Sequence, residues 1–222
     1  MIRDKRKSLT YYDSYISYQK ERIAKKTAKL LLCANDEEKQ SRICLSLNQY
    51  KMDLLFAEYS AGYEKEQLSG DLRSAIDTII KLKKPDYETM INAMALLVLL
   101  NENNAILELY DAHGGMIKND RILNCFYEYL VCGEKVWHGH FTIPVIYDKL
   151  DSLGNSLNKE TILLQYLQTW YSDRKSCSWY ESDKGSNDTY VGYWSFEAAA
   201  LAKVFNVNEH RLSESEFYPL FD

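Results

Sequence analysis

Apolar residues recur along this chain at steps of three, four and seven, the spacing that gathers side chains on one face of an α-helix. Tyr12, Ile16, Ile23 and Leu30 make the first such stripe, on a helix expected over about Leu9–Leu32. Lys20, Arg22, Lys25, Lys26 and Lys29 take the opposite face, and Asn35-Asp36 breaks the pattern. A longer stripe follows, with Ile43, Leu47, Tyr50, Leu54, Ala57 and Ala61 predicting a helix from about Glu38 to a stop at Gly62. Two amphipathic helices joined by a short break bury their stripes most simply as an antiparallel hairpin.

Leu68, Leu72, Ile76, Ile79 and Ile80 predict a third helix over about Glu64–Leu82, and Pro85 ends that segment. Asp86 is a good N-cap for a fourth helix through Leu100. This helix is apolar nearly all round (Met90, Ile91, Met94, Leu96 to Leu100), so it belongs at the centre of a bundle. Shorter helices fit Ala105–His113 and Asp120–Val131, separated by Gly114-Gly115. Cys132–Pro144 holds two glycines and a proline and is read as irregular, a seam between halves 1–132 and 133–222. Helices then fit Ile146–Leu153 and Lys159–Tyr171. Ser172–Thr189 is polar and acidic apart from Trp179-Tyr180, a surface loop or a short helix with flanking loops. An alanine-rich helix over Ser195–Phe205 is expected to be buried, because small side chains let helices approach closely. No strand alternation survives against this helical reading. The expected fold class is all-α, a multi-helix bundle of antiparallel hairpins in two packed halves.

Composition narrows the picture. With 222 residues the chain can bury a sizeable core without staples. Only 9 Gly and 3 Pro leave too few turns for a sandwich or barrel. The net charge of −5 is uneven. Residues 1–35 carry nine Lys/Arg against three Asp/Glu, so they sum to +6, and the remainder carries eighteen against twenty-nine, or −11. An acidic bulk argues against nucleic-acid binding and favours a basic partner, although mild acidity also serves ordinary solubility. The five cysteines are odd in number and form no CxxC pair, which reads as reduced thiols in a cytoplasmic protein. The charged start lacks the apolar core of a signal peptide, and the run Ala93–Leu100 is too short for a membrane span.

Chemistry is sparse. His138-Gly-His140 lacks the further ligands of a zinc site, and no HExxH, phosphate loop, dinucleotide fingerprint or GxSxG occurs. Cys177 has no signature of a nucleophile. Glu197 sits in the apolar string Trp194-Ser-Phe-Glu-Ala-Ala-Ala, where a carboxylate must be paired, so it reads as a structural lock to a tyrosine hydroxyl or an arginine. No catalytic residue, metal or cofactor is expected.

The C-terminal third carries the most specific strings. Trp170-Tyr171, Trp179-Tyr180-Glu-Ser-Asp183 and Tyr190-Val-Gly-Tyr-Trp-Ser-Phe-Glu-Ala-Ala-Ala-Leu-Ala-Lys203 resemble the PoNi family, immunity proteins of the polymorphic nuclease effector PoNe. Phe217-Tyr218-Pro219 fits the same pattern, and Tyr11-Tyr12-Asp-Ser-Tyr15 and Asp53–Gly62 are weaker matches in the N-terminal half. The resemblance implies a helical, non-enzymatic protein that binds and neutralises a cognate secreted DNase toxin in the cytoplasm.

A nuclease cleft is basic, so the expected contact region is Trp179, Glu181, Asp183 and Asp188, with Glu214 and Glu216 in the tail. Core packing is the competing role for Trp179. Tyr190, Tyr193, Trp194 and Glu197 are assigned to the structural core. Neither nucleic acid nor membrane is an expected partner, and a homodimer stays open. The competing readings are a helical scaffold or adaptor without a toxin partner, and an enzyme with a pocket among Glu197, the tyrosines and a histidine.

Overall fold

The computed structural model describes residues 1–33 and 35–221. Among them lie nine α-helices with short 3-10 turns, and no strand beyond an isolated bridge between Asp120 and His140, so the all-α expectation is confirmed. The chain forms two compact units, one of residues 1–85 and 181–192, the other of residues 86–180 and 193–222. This division differs from the expected 1–132 and 133–222, and the irregular segment 133–143 lies inside the second unit.

The first unit is built on α1 (Leu9–Leu31), α2 (Glu37–Ala61) and α3 (Lys65–Ile79), which pack as successive hairpins. Each start has a chemical cause. The Ser8 side chain accepts from the Tyr11 N–H, Asp36 does the same for Lys39, and Glu64 with Gln67 forms a reciprocal capping box. Gly62 ends α2 in the left-handed region, φ 96°, where a Cβ would meet the Met1 carbonyl oxygen at 2.0 Å. Glycine there frees the N-terminal strand of chain to lie across the end of α2. Arg3 and Asp4 donate their N–H groups to the Ser60 carbonyl at 2.9 and 3.1 Å. The Arg3 guanidinium donates to the carbonyls of Tyr59 and Tyr63 at 3.1 and 2.8 Å.

The second unit surrounds α4 (Tyr87–Leu100), every residue of which is buried except Glu88. Against it pack α5 (Asn104–Asn119), α6 (Arg121–Cys132) and α9 (Phe196–Phe205), while α7 (Pro144–Tyr147) and α8 (Lys159–Trp170) complete the unit. The alanines of α9 are buried, as the close approach of two helices requires. Lys203 of α9 caps the end of α4, donating to the carbonyls of Val98 at 2.7 Å and Leu99 at 3.1 Å and to Asn101 Oδ1 at 2.8 Å.

Two boundaries depart from the expectation. The helix begun near Ala105 breaks at His113 (φ −133°), its expected end, but a further helical stretch then carries Gly114-Gly115 on to Asn119. Burying Ile117 completely holds that last turn where two glycines would weaken it. The helix expected over Ile146–Leu153 instead starts at Pro144, whose missing N–H costs nothing in a first turn, and passes into a 3-10 turn over Asp148–Leu150.

Candidate functional site

Glu197, 2% exposed, sits in the first turn of α9 with Arg174, 6% exposed, beside it. Glu197 Oε1 accepts from the Tyr166 hydroxyl at 2.5 Å, the Trp170 indole N–H at 2.7 Å and Arg174 Nη2 at 3.0 Å. Arg174 Nη2 also donates to the Tyr166 hydroxyl at 2.8 Å, and Nη1 donates to the Trp170 carbonyl at 2.9 Å. Burial opposes the guanidinium charge, yet Tyr166 and Glu197 hold its pKa above the ordinary value. Burial raises the hydroxyls of Tyr147 and Tyr166 above their ordinary range. These groups satisfy one another, so the network stiffens the base of the unit rather than presenting a reactive atom.

An aromatic layer covers this network. Trp179 stacks on Trp170 at 5.6 Å between ring centres and lies 5.6 Å from Tyr193. Tyr171 stacks on Tyr180 at 4.5 Å and on Phe217 at 5.3 Å. The Trp179 indole N–H donates to Glu88, the one exposed residue of α4. Trp179 is half-buried. Packing is thus one role Trp179 fills in this unit.

The acidic candidates are divided between the units. Glu214 and Glu216 are exposed in the second, and Glu181 and Asp188 are exposed in the first, where Asp183 is half-buried. Glu181 adopts φ 59°, a left-handed conformation uncommon without glycine, and its carboxylate pairs with Lys184 at 2.8 Å. Of the residues assigned to the core, Tyr190 (0% exposed) lies in the first unit, and Tyr193 (3%) and Trp194 (8%) lie in the second with Glu197.

Sequence reasoning missed three buried acids: Asp4 of the first unit, 1% exposed, and the two that follow. Asp120, 1% exposed, caps α6 by accepting the N–H groups of Ile122 and Leu123 at 3.0 Å, and it also accepts from the Tyr87 hydroxyl and the Thr142 N–H. Glu58 of α2, fully buried, lies 2.8 Å from Lys20 Nζ of α1. Both were hidden by position: one at a helix boundary, the other inside an apolar stripe whose neighbours drew the reading.

Among the described residues no group of three or more His, Cys, Asp or Glu is arranged to hold a metal ion, and no helix is long and apolar enough to cross a membrane. The His140 carbonyl accepts the Arg121 N–H at 2.7 Å, tying the His138-Gly-His140 loop to the start of α6. Burial pushes the Cys177 thiol up from its ordinary value, opposite to what an activated nucleophile needs.

Two family models match the chain. Residues 3–110 match the N-terminal part of the PoNe immunity proteins (PoNi), and residues 118–220 match the C-terminal part. No curated protein matches. Among solved structures, protein PA2201 from Pseudomonas aeruginosa has a similar fold, with a TM-score of 0.75 at 14% identity, covering 96% of this chain and 86% of that one.

Proposed function

The chain belongs to the PoNe immunity proteins, and from that premise we propose that it binds a cognate DNase toxin in the cytoplasm and neutralises it as a stoichiometric, non-enzymatic inhibitor. The observation that carries this reading is the pair of family matches spanning residues 3–110 and 118–220. Charge supports it. A DNase must hold a polyanion, so its cleft is basic, and this chain carries 32 Asp/Glu against 27 Lys/Arg. Complementary charge accelerates encounter and selects the partner.

The proposed contact residues are Glu181, Asp183 and Asp188 of the first unit and Trp179, Glu214 and Glu216 of the second. Trp179 supplies a large, stiff anchor, and the carboxylates steer. Stable inhibitory interfaces bury roughly 1,600 Å² in total, so further residues would share the contact. The Glu197–Arg174 network contributes by fixing the layer on which Trp179 rests. An adaptor without a toxin partner would show none of this complementarity in use.

The test is co-expression with the nuclease encoded beside this gene. The expected result is survival of cells that otherwise die and recovery of the two proteins as one complex. Cells that die equally with and without this chain, with no complex formed, reject the proposal.

A further inference from the structure

Glu181–Gly192 is flanked in sequence by the second unit yet packs within the first. The stretch from Lys184 to Thr189 is exposed, and then the chain turns abruptly inward, with the Tyr190 side chain fully buried. Four hydrogen bonds hold it there. The Tyr11 hydroxyl accepts the Tyr190 N–H at 3.0 Å and donates to the Tyr190 carbonyl at 2.9 Å, so one side chain pins both backbone groups of one residue. The Tyr190 hydroxyl donates to Asp4, and Ser60 Oγ donates to the Val191 carbonyl at 2.7 Å. Asp4 is itself fixed, 1% exposed, with the Arg6 N–H donating to it at 2.8 Å and its own N–H bonded to Ser60. Gly192 closes the segment at φ 113°.

We infer that this clasp, formed by Tyr11, Asp4, Ser60 and Tyr190, positions the acidic segment 181–189 for the nuclease, so that these four are positioning residues for partner binding. The inference rests on the reading of this chain as a nuclease-binding protein and goes beyond it, because it assigns a role to four residues outside the proposed contact set. The physical reason is entropic. Ordering a free loop on binding costs conformational entropy at every residue fixed, and a loop pinned beforehand avoids most of that cost. Asp188 lies close enough to Tyr11 that its charge helps raise the phenol pKa, behind the larger effect of burial. The clasp and the carboxylate are therefore spatially coupled.

The experiment is a double-mutant cycle on binding to the purified neighbouring nuclease, using the full chain. Tyr11→Phe removes both backbone bonds while keeping the ring. Asp183→Asn with Asp188→Asn removes loop charge while keeping the clasp. Each change is expected to weaken binding about tenfold, and the combination by much less than the product, because an unpinned loop no longer presents its charges in place.

Trypsin cleavage after Lys184 is expected to quicken in Tyr11→Phe, reporting release of the loop without any partner. Ile79→Val, a core change that lowers the melting temperature elsewhere in the same unit, is expected to leave affinity unchanged and so separates positioning from stability. Additive losses, an unaltered affinity in Tyr11→Phe, or an unaltered affinity in the neutralised loop each overturn the inference while leaving the immunity reading intact. If the wild-type chain does not bind the nuclease, the immunity reading itself falls and this inference falls with it.

Discussion

Glu58 places a carboxyl in the interior of the first unit, and its surroundings set a pH dependence. Burial raises its pKa to about 7, opposed by Lys20 of α1 and reinforced by a hydrogen bond with Asp71 of α3. An unfolded glutamate gives up its proton near 4.5. Between these two values the folded state holds a proton that the unfolded state has lost, so stability is greatest below pH 4.5, as far as this group decides it, and falls as pH rises through 7. The loss amounts to about 3 kcal/mol. Urea unfolding at pH 6 and pH 8 should show about 1.4 kcal/mol of it, the part lost over the last unit below 7, and Glu58→Gln should flatten the difference; an equal slope in both proteins refutes the assignment.

The Glu197–Arg174 pair predicts a second effect at this scale. Arg174→Met leaves a buried carboxylate without its cation and should cost about 3–5 kcal/mol, read as a fall in melting temperature, whereas replacing both partners by apolar residues of similar size should cost far less. Glu197 was legible in the sequence because a charge inside Phe-Glu-Ala-Ala-Ala has to be compensated. Its partner was not, since Arg174 lies 23 residues away in a polar stretch that carries no periodic signal. The same holds for Asp4 and Tyr190, 186 residues apart.

Helices were readable where an apolar stripe and a capping side chain agree. Ser8, Asp36 and Asp86 each accept an N–H at the start of a helix that the stripe had already announced. Reading was incomplete where local chemistry and tertiary packing disagree, most plainly at Gly114-Gly115: the break falls beside them at His113, yet the glycines themselves are helical, in a stretch that burial of Ile117 holds. That conflict yields a prediction. A Cβ at Gly115 meets nothing within 4 Å, and the residue is helical, so Gly115→Ala should stabilise the protein by about 0.5–1 kcal/mol through the unfolded chain's lost freedom. Gly70, inside α3 and equally unobstructed, should respond alike. Gly62→Ala should do the reverse, because its φ of 96° and the Met1 carbonyl leave no room. Thermal melts of the three variants decide the matter, and a destabilised Gly115→Ala would mean the kink at His113 depends on glycine flexibility.

For the whole molecule the relevant quantity is how charge is shared between folding and partner binding. Most surface ion pairs here, such as Lys25 with Glu21 and Arg42 with Glu38, join exposed side chains and contribute little to stability. Raising ionic strength should therefore hardly move the melting temperature. Association with a basic nuclease follows a different rule, because long-range attraction between a net −5 chain and a positive cleft is screened over a Debye length of roughly 8–10 Å at ordinary salt. The association rate should fall by about tenfold or more between low and moderately high salt, while the dissociation rate, which short-range packing governs, should change little. Stopped-flow binding at several salt concentrations separates the two rates. A dissociation rate that carries the whole salt effect would show that the carboxylates act within the contact rather than in steering, and an association rate indifferent to salt would remove electrostatics from the account of how this chain finds its partner.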